Sequence, residues 1–221
     1  MNDLALPRNG GRISPRFARV GAGRRRPSGG PMGNSDQAYF TWLTSALCRY
    51  NQATGGIVQR QATDLLVLGG ARPNPAIDWV RHATGMPAVQ YWDLYDLDAT
   101  NAIDFNNLTV ATGRQCDVLM MTRASYLLTD VGIFCSHARR LLRPYGLLII
   151  DWVYGSAEAP CRGVRGAHQY GDTTVPFLST YNAGEVAQYF TVEWGDTANF
   201  SAETNSHSTY LITILKPRRR A

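Results

Sequence analysis

Leu65-Leu66-Val67-Leu68-Gly69-Gly70-Ala71-Arg72-Pro73-Asn74-Pro75 decides how this chain is read, together with Ala88-Val89-Gln90-Tyr91-Trp92-Asp93 further along. A short apolar run stops at two glycines. A segment able to form a helix follows, and a second run stops at an acid. The pattern is strand, turn, helix, strand, the unit with which a parallel sheet presents backbone and a carboxylate to a nucleotide-like cofactor. Glycine lets the backbone approach a ligand, and the acid accepts hydrogen bonds from a ribose diol. Gly69 and Asp93 stand near the roughly 20 residues that such a unit places between turn and acid. A dinucleotide loop carries three spaced glycines, whereas Ala71 and Pro73 occupy the later positions here. Taken singly, Gly69-Gly70 is ordinary turn chemistry and Asp93 a solvated strand end; their separation is what points to a cofactor.

Working outward, Ala76 to Ala83 reads as the helix of this unit, with Ile77 and Val80 inward and Gly85 and Pro87 ending it. Pro73 and Pro75 stand where a first helical turn tolerates them. His82 reads as a surface residue of the last turn. Upstream, Asn34 to Asn51 repeats Phe40, Leu43, Leu47 and Tyr50 at helical spacing, with caps at Asn34, Ser35 and Asp36. This helix is expected to pack on the domain and partly cover the cofactor cleft.

Downstream, Asp96, Asp98 and Asp104 crowd one region, but Asp-x-Asp spacing in a loop is common and no metal site is assigned. A short strand is expected near Leu108 to Ala111. Asp104 and Phe105 are placed beside an adenine, the acid on its exocyclic amine and the ring stacked on it. Cys116 to Thr122 is a buried strand with a polar end. Asp130 to Arg143 is the clearest helix, with Val131, Phe134, Cys135, Ala138, Leu141 and Leu142 on one face and a solvated His137 on the other. Thr129 or Asp130 caps it, and Pro144-Tyr145-Gly146 stops it. Leu147 to Ile150 is a strand covered on both faces that ends at Asp151.

The chain has 221 residues and a net charge of +5, unevenly spread. Residues 1–33 carry +6 and residues 216–221 carry +4, which leaves −5 for the stretch between. A mildly acidic body does not support nucleic-acid binding across its surface, while the basic tails suit RNA or an acidic assembly. Residues 1–33, rich in Gly, Pro, Arg and Ser, read as a disordered tail. They are followed by one domain over 34–217 and a basic end at 218–221. No apolar run reaches the roughly 20 residues of a membrane span. Cys48, Cys116, Cys135 and Cys161 have neither zinc spacing nor a disulfide framework. Cys116 and Cys135 fall in apolar patterns, which suits buried free thiols in a reducing, cytoplasmic setting.

The run from Ala138 to Trp152, ARRLLRPYGLLIIDW, resembles the segment joining the helix after strand four to strand five in class I S-adenosylmethionine-dependent methyltransferases. The order also resembles that family: Gly69, then Asp93, then the strand Asp117 to Thr122, then this segment. Tyr181 to Phe190 resembles the family's last helix, with strands over Phe190 to Trp194 and Thr209 to Leu215, the latter antiparallel at the sheet edge. The likeness spans roughly 35 to 217. It implies an α/β, Rossmann-like three-layer sandwich with a mostly parallel seven-stranded sheet and an antiparallel last strand. It implies S-adenosylmethionine as cofactor, held by Gly69, Gly70, Ala71, Asp93, Asp104, Phe105 and Thr122, with Asp151 and Trp152 also around the cleft. His168 and Tyr170, in the insertion before the last helix, become the candidate bases for the acceptor.

The departures are Val67, where the family usually has an acid, and Ala71 and Pro73 in place of glycines; Arg123 is an uncommon neighbour for a sulfonium. Lys216 is the only lysine, and no Asn-Pro-Pro-Tyr-type motif follows strand four, so ribose and nucleobase amino methylation are disfavoured. Two functions remain: a methyltransferase acting on a small molecule, or a methyltransferase-like subunit without catalysis, anchored by its arginine-rich tails to RNA or a larger assembly.

Overall fold

All four residues of β1 (Leu65–Leu68) are buried, as a continuous apolar run requires when helices cover both faces of its sheet. In a computed structural model of the chain, the structure describes residues 34–57, 64–69, 74–85, 89–92, 103–104, 106–108, 115–122, 124–125, 128–154, 167–170, 173–176, 182–201 and 207–218. Helix α1 (Asn34–Thr54) precedes β1, and α2 (Pro75–Thr84) and β2 (Val89–Trp92) follow it. Then come β3 (Cys116–Met121), α3 (Val131–Leu141) and β4 (Leu142–Tyr154). The chain closes with β5 (Ala167–Tyr170), β6 (Thr173–Pro176), α4 (Ala183–Tyr189), β7 (Phe190–Ser201) and β8 (His207–Pro217).

The principal sheet has the order β2-β1-β3-β4-β8-β7, and β5 and β6 pair as a separate hairpin. β2, β1, β3 and β4 are parallel, and β8 runs antiparallel to β4 and β7. Successive side chains of a strand point to opposite faces, so each strand feeds two cores. Leu65, Val67, Val118, Met120, Leu147 and Ile149 pack under α1 and α2. Leu66, Leu68, Leu119, Met121, Leu148 and Ile150 pack under α3 and α4. The three layers expected from the sequence are therefore present. On α3, burial pushes the Cys135 thiol up to about 12, with Glu185 and Asp130 adding to the shift, so it stays protonated and inert.

Several boundaries differ from the expectation. The sheet has six strands among the described residues, not seven. Leu108 ends a 3-10 turn over 106–108 rather than starting a strand, and 109–111 lie outside the described residues. β8 is not at the edge: it is inserted between β4 and β7, and β7 forms that border. Helix α3 stops at Leu141 rather than Arg143. Pro144 disfavours helical geometry at the residue before it, and Leu142 is already extended while its N–H still bonds Ala138 O. β4 thus begins at Leu142 and reaches Gly146, where a Cβ would stand 2.9 Å from the Asp117 carbonyl oxygen. Only glycine lets β3 and β4 come that close.

Candidate functional site

Strand order reverses between β1 and β3. From β1 the chain crosses through α2 to β2 on one side, and from β3 through α3 to β4 on the other. In open α/β sheets the crevice for a ligand opens at this point, beyond the carboxyl ends of the strands. Leu68 pairs with Met121, and Met121 with Ile150. One step further along, Gly69, Thr122 and Asp151 form a single row across β1, β3 and β4, with strands roughly 4.8 Å apart. By alternation all three lie on the side of α1 and α2. Leu68 also pairs with Trp92; Asp93, the next residue, lies outside the described residues, as do Gly70, Ala71 and Phe105.

Gly69 has φ +90°, a conformation that favours glycine, and a Cβ there would stand 2.5 Å from the Ala124 Cβ. Its N–H donates to Trp92 O at 3.1 Å. The first glycine is therefore demanded by the protein itself, because it lets the turn after β1 touch the segment after β3.

Asn74 stands beside the same row, bonded to Thr122. It is the N-cap of α2 and only 5% exposed. Its Oδ1 accepts from Ala76 N at 2.9 Å and Ile77 N at 3.4 Å, while Nδ2 donates to Thr122 Oγ1 at 3.3 Å. Pro75 has no N–H, and Asp78 N already bonds Asn74 O at 3.0 Å. Every backbone donor from 75 to 78 is thus absent or used, so the N-terminus of α2 presents none of the free N–H groups with which a Rossmann turn grips pyrophosphate. In the sequence the flanking prolines stand out and Asn74 does not. An asparagine directly before a proline and an amphipathic run was the available signal.

Asp151 is 0% exposed and accepts a 2.5 Å hydrogen bond from the Tyr39 hydroxyl of α1, itself 2% exposed. Helix α1 therefore reaches the row at the carboxyl edge. Further along it is tied to β7, where Asp196 accepts from Trp42 Nε1 and pairs with Arg49. Trp152 belongs to the opposite core, with its indole N–H donating to Thr213 Oγ1 at 2.9 Å. Thr122 and Asp151 thus share the row, and Trp152 does not.

Asp104 is half-buried and caps its own turn: Oδ1 accepts from Asn106 N at 2.8 Å. His168 and Tyr170 lie on β5, paired with Val175 and Thr173 of β6; their side chains lie outside the described residues. His137, expected to be solvated, is half-buried, and burial lowers its pKa from the ordinary value, with Arg140 adding to the effect. His82 Nδ1 lies 2.6 Å from Asp78 O in the last turn of α2. Ser125, not singled out from sequence, is buried just beyond Ala124. Among the described residues no three His, Cys, Asp or Glu side chains gather as a metal-holding group. No described helix is long and apolar enough to cross a membrane.

No protein-family model matches the sequence, and neither does any curated protein. Solved structures do match. The N-methyltransferase NodS from Bradyrhizobium japonicum WM9, in complex with S-adenosyl-L-homocysteine, superposes with a TM-score of 0.51 at 13% identity, covering 85% of this chain and 89% of that one. A Listeria monocytogenes protein assigned to the S-adenosylmethionine-dependent methyltransferases gives 0.53 at 10% identity, covering 84% and 99%. TehB from Haemophilus influenzae gives 0.51 at 12% identity and covers 77% of this chain, which spans only 62% of TehB. At such identities the likeness is one of fold: the chain has the Rossmann-like fold of class I methyltransferases.

Proposed function

We propose that this protein is an S-adenosylmethionine-dependent methyltransferase acting on a small-molecule acceptor in the cytoplasm. The observation that carries the reading is the capped N-terminus of α2 beside the crevice at the switch point. A row of strand-end polar groups beside a helix whose first N–H groups, at residues 76–78, are all used suits a nucleoside cofactor that lacks phosphate. NodS, of the same fold, was solved with such a ligand. Bound there, S-adenosylmethionine supplies a methyl group made electrophilic by its sulfonium sulfur. The chain's own part is to hold and align. Gly69, with Gly70 and Ala71, would form the turn under the ligand, Asp93 would accept from the ribose hydroxyls, Asp104 and Phe105 would flank the adenine, and Thr122 would line the wall beside the reacting centre. His168 or Tyr170 takes the acceptor's proton where the acceptor must lose one.

Calorimetric titration of S-adenosylmethionine into the full chain tests this. Heat of binding is expected, weakened about tenfold or more in Asp93→Ala by loss of hydrogen bonds to the ribose. No heat at millimolar ligand overturns the reading.

One observation favours the second reading, a methyltransferase-like subunit without catalysis. Asn74, Thr122 and Ala124 are all buried, so side chains already fill the floor of the crevice. In that case the arginine-rich tails do the work, by contact with RNA or an assembly. RNA retention should then fall on deleting residues 1–33, and more so at low salt; equal retention by both forms removes the tail from the account.

A further inference from the structure

We propose that the C-terminal end of α3, with the ends of β4 and β8 beside it, forms a binding surface for single-stranded nucleic acid: Arg139, Arg140 and Arg218 take backbone phosphates, and Tyr145 stacks under a base. Such a surface works with or without catalysis. It puts in the folded domain a contact that the second reading gives to residues 1–33.

The acidic sum of the body hides a local excess of positive charge. Arg139 and Arg140 stand in the last turn of α3. Arg218 follows directly on β8, the neighbour of β4. Arg139 fastens it there, with Nη2 and Nε donating to Arg218 O at 2.7 and 3.2 Å. Arg218 N donates to Tyr189 O at 2.8 Å and Arg218 Nε to Phe190 O at 3.3 Å. A helix dipole accounts for arginines in a last turn. It does not account for Arg218, which another element delivers, nor for Arg139 spending its guanidinium on holding a second arginine close. Like charges placed in this way repel. The acids at this end of the sheet among the described residues are already committed, Asp64 and Asp117 to Arg143 and Glu193 to Lys216. Arg140 is exposed and has no hydrogen bond or ion pair among the described residues.

Tyr145 is the independent sign. It is 73% exposed, more than any other large apolar side chain among the described residues. β4 pairs antiparallel with β8 through Leu148 and Leu215. Continuing that register by three residues sets Tyr145 level with Arg218. An aromatic ring left in water beside guanidinium groups that no acid neutralises is what single-stranded nucleic acid needs: cations for the phosphates and a flat face for an unstacked base. An acidic polypeptide would use the charges and leave the ring idle.

Fluorescence anisotropy of the full chain with a labelled single-stranded RNA of about 10 nucleotides, and with DNA of the same sequence, is followed over a salt series. The wild type should bind one or both. Arg140→Gln together with Arg218→Gln should weaken binding about tenfold at low salt. The salt slope should fall by about 1.4, as expected for two phosphate contacts on a single strand. Tyr145→Ala should weaken binding about fivefold or more and leave the slope unchanged. Arg24→Gln together with Arg25→Gln removes the same charge from residues 1–33 and should cost less than the first pair. Thermal melts check folding, and Arg140→Gln alone, which breaks no described bond, should give half the change in slope. Failure of the wild type to bind either probe, equal losses in the two arginine pairs, or wild-type affinity in Tyr145→Ala overturns the proposal. So does binding of poly-L-glutamate as tight as that of nucleic acid of equal charge. If binding is lost only in the Arg24 and Arg25 variant, the second reading stands and this surface is struck out.

Discussion

The two ends of the parallel strands are fastened by different chemistry. At the amino ends, Arg143 spans β1 and β3 with Nη2 on Asp64 at 2.9 Å and Nη1 on Asp117 at 2.5 Å, and these side chains remain partly open to water. At the carboxyl ends the ties are buried: Asn74 to Thr122, and Tyr39 to Asp151. Water can replace a partly exposed ion pair at little cost, but it cannot reach a buried hydrogen bond without opening the core. One end of the sheet only needs closing, and solvated charges suffice. At the other end the ties are withdrawn from solvent.

The contrast can be broken in graded steps. Gly69→Ala should cost most, about 3 kcal/mol or more, because it combines a strained φ with a clash against Ala124; a urea midpoint near that of the wild type would show that the close approach is not needed. Tyr39→Phe removes the hydroxyl donor from Asp151 and should cost about 1–3 kcal/mol in the same assay, with little dependence on salt. Arg143→Met should cost least, below about 1 kcal/mol for each exposed pair, and the difference from wild type should shrink as salt is raised. If Arg143→Met proves as costly as Tyr39→Phe and is insensitive to salt, the two ends are held alike and the contrast is lost.

The layers and the parallel core were legible because a strand buried on both faces has to be apolar throughout. Leu65–Leu68, Val118–Met121 and Leu147–Ile150 satisfy that with no help from distant residues. The alternation that puts Gly69, Thr122 and Asp151 on one side follows from the same runs once their register is known. Register itself was not legible. The insertion of β8 beside β4 depends on pairing Leu148 with Leu215, far apart in sequence, and no local pattern states it. The ties at the crevice were missed for the same reason, since Tyr39 meets Asp151 and Asn74 meets Thr122 only after the sheet has assembled. Thr122 was singled out by family likeness, whereas its partner sat in a turn judged by its missing glycines.

The last described strand in sequence is not the last in space. β8 occupies the gap between β4 and β7, and just beyond it Arg139 donates to the Arg218 carbonyl. Without β8, both β4 and β7 would have one backbone edge bare, which is a template for wrong pairing. Deleting residues 207–217 would therefore remove an inner strand rather than trim a border, and such a product should aggregate instead of folding to a smaller version of the domain.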